Sequence, residues 1–184
     1  MIYLQVAGLL WVGWLVTWWA AALWRDKPAA EAPRRQWRGF FFLIAAGFML
    51  IGIERPGWSR LWTVGPVLGW SMVALVAAGV ALMWWARLTM GRMWSGGVLR
   101  TESHRVIQNG PFAWVRHPIY TGLIAAAVAF AVLRATPAAL AGAALVALGF
   151  YLKARVEERF LTHELAGYPE YRERVPMLVP LPRP

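Results

Sequence analysis

Residues 109–122 read N-G-P-F-A-W-V-R-H-P-I-Y-T-G, gathering helix breakers, cations and aromatics directly ahead of an uncharged run. Gly110-Pro111 makes a turn, and Pro118 suits the first turn of a helix, where its missing N–H costs no intrahelical bond. The pattern predicts a helix opening at Pro118, with Arg116 and His117 at its N-terminus. Backbone N–H groups and the macrodipole favour an anion there. An ionisable cluster at the edge of a membrane helix points to a functional site, and its bland counterpart is a basic flanking loop.

Membrane character follows from what surrounds this stretch. Hydrophobic residues make up 59% of the 184, mean hydropathy is +0.47, and the 15% charged residues cluster between long uncharged runs. The runs are 2–24, 39–53, 63–85, 118–133 and 138–152, the last continuing as helix through the charged residues 153–165. The second is short for a span unless Trp37 and Trp58 carry it to the interfaces. Expected, then, is an all-α integral membrane protein of about five transmembrane helices, in one domain over 1–184. Residues 1–86 would hold three spans. Residues 87–184 would hold two more, with a loop and tail. The first run lacks a basic flank and a small-residue cleavage site and is read as a retained anchor. Trp18, Trp19 and Trp24 at one run's end, and Trp84 and Trp85 at another's, fit interfacial belts. Gly142 and Gly149 give the fifth run a small-residue face.

The absence of cysteine excludes disulfides, thiolate nucleophiles and Cys-based zinc sites. A net charge of +10 could suit nucleic acid, but the basic residues flank the apolar runs, as a membrane surface requires. With the N-terminus outside, sixteen of the 19 Lys and Arg fall on inner segments, leaving Arg55, Arg60 and Arg134 outside. That bias places the C-terminus, residues 109–122 and the charged end of the fifth helix together on the cytoplasmic side, as in a prokaryotic inner membrane.

Lys153, Arg155, Glu157 and Glu158 lie within two turns of that helix. Spacing pairs Lys153 with Glu157 and Arg155 with Glu158. This is either a solvated, salt-bridged helix end or a site for a zwitterion, with carboxylates for an amine and Arg116 or the helix N-terminus for a carboxylate. His104, His117 and His163 show no metal-ligand spacing, so no metal is assigned. Triad, phosphate-loop and dinucleotide-fold motifs are missing as well.

His104-Arg-Val-Ile-Gln-Asn-Gly-Pro-Phe-Ala-Trp-Val-Arg-His-Pro-Ile-Tyr-Thr-Gly122 resembles the H-x-L-V-x-x-G-P-[YF]-x-x-V-R-H-P-x-Y-x-G signature of the isoprenylcysteine carboxyl methyltransferase family, a group similar to phospholipid N-methyltransferases. Gly91-Arg-Met-Trp-Ser95 resembles its G-R-x-W-S element. Arg155-Val-Glu-Glu158, Leu161, Tyr168, Tyr171 and Arg174-Val-Pro176 resemble its R-x-E-E-x-x-L…Y-x-x-Y-x-x-R-V-P ending. The resemblance covers residues 87–180.

It implies S-adenosylmethionine in a cytoplasm-facing pocket formed by the loop before the fourth span and the C-terminal helix. His104, Val106, Gly110, Pro111, Phe112, His117, Pro118 and Tyr120 would line the cofactor, with Arg116 beside them, and Glu157 or Glu158 would take its amino group. Lys153, Arg155 and Glu158 are the expected catalytic set. Lys153 stands where the eukaryotic enzymes carry Arg, and the segment before Tyr168 is shorter. Methyl transfer is an in-line displacement from a sulfonium, so alignment and water exclusion are the protein's tasks. Phe112 and Tyr120 can stabilise the cation through their ring faces. The acceptor, a carboxylate, amine or thiol, would enter from membrane lipid. An NADPH-dependent reductase of the sterol-reductase type and a non-catalytic membrane scaffold are the alternatives.

Overall fold

The computed structural model describes residues 2–21, 23, 28–31, 38–53, 60–91, 99–101 and 106–180. Among them the chain forms helices α1 (Ile2–Ala21), α2 (Arg38–Gly52), α3 (Pro66–Met90), α4 (Pro118–Arg134), α5 (Pro137–Glu164) and α6 (Tyr168–Arg174). Prolines 66, 118 and 137 each open a helix, the position where a missing N–H is harmless. Between α4 and α5 stand two residues: Ala135, left-handed at φ 55°, and Thr136, whose hydroxyl caps α5 by accepting from Ala139 N at 3.2 Å. The fifth run and its charged extension form one unbroken 28-residue helix, as the pattern predicted.

Small residues set the packing. α2 lies along α5 and α3 along α4. A Cβ on Gly142 would stand 2.5 Å from Gly47 O, and one on Gly122 would stand 2.7 Å from Gly79 O. Two helix pairs thus meet backbone to backbone, α2 with α5 through the small-residue face expected on the fifth run and α3 with α4 through Gly79 and Gly122. Trp14, Met83, Leu123, Val146 and Phe150 fill the core between α1, α3, α4 and α5. Trp18 meets Trp84 edge to face at 5.7 Å, bringing the two expected tryptophan belts together.

Three differences from expectation have local causes. α1, α3 and α5 are long and apolar enough to cross a membrane, whereas α2 and α4 are shorter apolar helices of 15 and 17 residues, about 22 and 25 Å at 1.5 Å per residue. Five full-length spans are therefore not met by length; three are. Second, α3 continues past Trp85 to Met90, because Arg87 is buried with carbonyl partners at its tip: its Nη2 donates to Ala21 O at 2.8 Å and its Nη1 to Gly91 O. Third, β1 (Pro28–Glu31) and β2 (Leu99–Thr101) form a short antiparallel ribbon that links the α1–α2 and α3–α4 connections. Strands of three and four residues are too short for a readable period. His104, Trp24, Trp37, Trp58 and residues 92–95 lie outside the described residues.

Candidate functional site at the α4–α5 junction

The stretch 109–122 folds as a 3-10 turn (Gly110–Ala113) leading into α4. Gly110 needs φ +58°, and a Cβ there would crowd Thr89 Oγ1 at 3.1 Å and Trp85 Nε1 at 3.3 Å. Pro111 and Phe112 are buried behind it. Pro118 is buried as the first residue of α4.

One turn into α4, Tyr120 gathers the polar groups. Its hydroxyl donates to Glu157 Oε1 at 2.6 Å and accepts from Lys153 Nζ, which also reaches Glu157 Oε1 at 3.0 Å. His117 stacks on Tyr120 at 5.3 Å, with ring planes 5° apart, and Phe150 meets Tyr120 at 5.1 Å. Lys153 Nζ lies 4.6 Å from the Tyr120 ring centre. The cation that Tyr120 meets is thus a lysine of the protein, and His117 and Phe150 take up ring surface expected to face a sulfonium.

The two carboxylates divide. Glu158 is 2% exposed and receives Arg116 Nε and Nη2, both at 2.6 Å from Oε1, with Arg172 Nε 3.6 Å from Oε2. Glu157 is less enclosed: its Oε2 has His117 Nδ1 at 3.5 Å. His117 Nε2 lies 3.4 Å from Glu158 Oε1 but outside hydrogen-bond geometry, so this buried nitrogen has no hydrogen-bond partner. The predicted Lys153–Glu157 pair is present. Arg155 does not pair with Glu158, although the two stand three residues apart on α5; it is exposed and donates to Tyr151 Oη at 2.9 Å, while Arg116 occupies Glu158.

Arg116 is a strut. Beyond Glu158 it donates through Nη1 to Arg172 O at 2.7 Å and to Val175 O. The tail then crosses the start of α4: Arg116 N donates to Pro176 O at 2.9 Å, His117 N to Met177 O at 3.1 Å, and Thr121 Oγ1 to Leu178 O at 2.6 Å. Two N–H groups expected to attract an anion are therefore occupied by protein carbonyls, and Arg116 is spent on Glu158 and the tail.

Sequence reading did not foresee that Arg172, Thr121 and the tail carbonyls frame the site. A usable signal was Tyr168 and Tyr171, whose i,i+3 spacing puts both on one face of α6. They pack with Leu165 and Val106, and Tyr171 Oη donates to Phe112 O at 2.7 Å, tying α6 to the 3-10 turn. Burial pushes both phenols well above the ordinary tyrosine range, with Arg116 pulling the other way.

A family model, isoprenylcysteine carboxyl methyltransferase, matches residues 72–163, half of the chain and the interval that contains α4 and the polar end of α5. The chain belongs to the isoprenylcysteine carboxyl methyltransferase family. Among relatives, it is 31% identical over 110 residues to protein-S-isoprenylcysteine O-methyltransferase of Xenopus laevis, covering 58% of this chain and 38% of that protein. It is 28% identical over 148 residues to cobalt-zinc-cadmium resistance protein CzcN of Cupriavidus metallidurans, covering 78% and 62%. It is 29% identical over 129 residues to protein-S-isoprenylcysteine O-methyltransferase B of Arabidopsis thaliana, covering 68% and 64%. The chain thus spans less than two thirds of the length of each of these relatives.

Proposed function

We propose that this chain is an S-adenosylmethionine-dependent membrane methyltransferase acting on a lipophilic or small acceptor at the polar end of α4 and α5. The observation that carries the reading is that the family match over 72–163 encloses His117, Tyr120, Lys153 and Glu157, which touch one another across two helices. When bound, S-adenosylmethionine supplies an activated methyl on a sulfonium. The residues fit such a ligand in two respects. Glu157, at 13% side-chain exposure, is the more accessible carboxylate for an amine, and the Nε2 of buried His117 has hydrogen-bonding capacity to spare. Val106, Phe112 and Pro118 would provide apolar wall. Arg116 holds Glu158 in place, and Arg155 stands outside the cluster.

Lys153, held at rest by the Tyr120 hydroxyl and Glu157, would orient an acceptor carboxylate. A carboxylate acceptor leaves no proton to remove. Five crossings with this end on the cytoplasmic side agree with the sixteen basic residues on that side, α2 and α4 being accommodated by local bilayer thinning.

Isothermal titration of S-adenosylhomocysteine into the detergent-purified protein, with NADPH in parallel, tests the reading. Micromolar binding of S-adenosylhomocysteine alone is expected. Binding of NADPH alone would move the assignment to a reductase, and binding of neither would favour a scaffold.

A further inference from the structure

A cleft of about 760 Å³ lies between α1, α2 and α4, with its arginine end at the side of the bundle away from the carboxylates. Trp11, Phe48, Leu123 and Phe130 are among its walls, and Arg60 and Arg134 line it as well. Trp11 braces it, meeting Phe48 and Phe130 each at 5.9 Å. The arginine end is built. Leu61 N donates to Ala135 O at 2.7 Å and Trp62 Nε1 to Val132 O at 3.1 Å, fastening the residues after Arg60 onto the last turn of α4, where Arg134 stands.

An apolar slot with guanidiniums at one end matches an amphiphile that carries an anion on a hydrocarbon chain. We infer that this cleft binds one acyl chain of an anionic phospholipid, with the lipid phosphate held by Arg60 and Arg134. From Leu123 to Arg134 the wall runs about 16 Å along α4 at 1.5 Å per residue, enough for much of one acyl chain. Tyr120 lies fourteen residues before Arg134, about 21 Å on the same rise, so this phosphate is remote from the Lys153–Glu157 cluster. The lipid is a resident of the fold and not the methyl acceptor, and the inference is independent of the methyltransferase reading.

The test is native mass spectrometry of the full chain in neutral detergent, titrated with dioleoyl phosphatidylglycerol or dioleoyl phosphatidylcholine. Each basic residue near a membrane surface favours an anionic lipid about fivefold, so two should give a preference on the order of twenty-fivefold. The Arg60→Gln/Arg134→Gln pair should bring the two lipids to parity, and Arg60→Gln alone, at an exposed position, should remove part of the preference. Gly8 also lines the cleft, and a Cβ there meets nothing within 4 Å. Gly8→Phe should therefore fill the slot and weaken both lipids while circular dichroism stays unchanged. Equal retention of the two lipids by the wild type, or full preference in the arginine variants, would overturn the inference. So would full lipid binding by Gly8→Phe, or glycerol phosphate alone binding as tightly as the lipid.

Discussion

Arg116 and Glu158 are 42 positions apart in the chain and 2.6 Å apart in the fold, both almost wholly buried. Removing one partner of such a pair strands the other charge, which costs about 3–5 kcal/mol. Arg116→Ala is expected to lower the thermal midpoint in detergent substantially, and adding Glu158→Gln should restore part of the loss. Full additivity of the two substitutions would show that the pair is not coupled.

Tyr120→Phe keeps the stacking on His117 and Phe150 but deletes the hydroxyl shared by Lys153 and Glu157. A hydrogen bond to a charged group contributes about 1.5–3 kcal/mol, so methyl transfer should fall by roughly tenfold or more, with the fold retained. Single-turnover rates beside melting curves would separate the two effects.

Arg155→Gln should leave stability within about 0.5 kcal/mol and S-adenosylhomocysteine affinity unchanged, because the exposed guanidinium reaches only Tyr151 among the described contacts. Titration calorimetry on the variant is the check. A tenfold loss of affinity or of turnover would return Arg155 to the catalytic set expected from the sequence.

Gly142→Leu and Gly122→Leu should each separate a helix pair, since even a Cβ at these positions falls within 2.7 Å of a facing carbonyl. Overpacking of this kind costs about 1–3 kcal/mol or more. Gly13→Ala, where nothing lies within 4 Å, should be neutral or stabilising by up to about 1 kcal/mol. Thermal unfolding of the three variants side by side reads the contrast.

Tyr168 and Tyr171 keep their protons in the folded chain at pH values where free phenols, at pKa 10.0, release them. The unfolded state then binds fewer protons, so stability is complete below pH 10 and declines as the pH rises beyond it. The thermal midpoint should fall above pH 10, and Tyr168→Phe with Tyr171→Phe should flatten that slope. A slope unchanged by both substitutions would assign the loss to other groups.

Much of this was legible in the chain because it is local. Prolines 66, 118 and 137 mark helix starts, and Gly142 and Gly149 recur at helical spacing. Lys153 and Glu157 are one turn apart wherever that helix goes. The lengths of α2 and α4 were legible too, since runs 39–53 and 118–133 match Arg38–Gly52 and Pro118–Arg134; less legible was the extent of α3, because a buried Arg87 that finds Ala21 O looks in sequence like the start of a loop.

Membrane class, helix starts, the family resemblance and the i,i+4 ion pair were determined by sequence alone, because each depends on residues within a turn or on the solvent an apolar run requires. The partner of Glu158 was decided by tertiary structure. Spacing offered Arg155, three residues away, but packing of α4 and the tail against α5 brought Arg116 into the dry interior while Arg155 stayed in contact with solvent. A buried carboxylate must take whichever cation is buried with it, and only the fold determines which one that is.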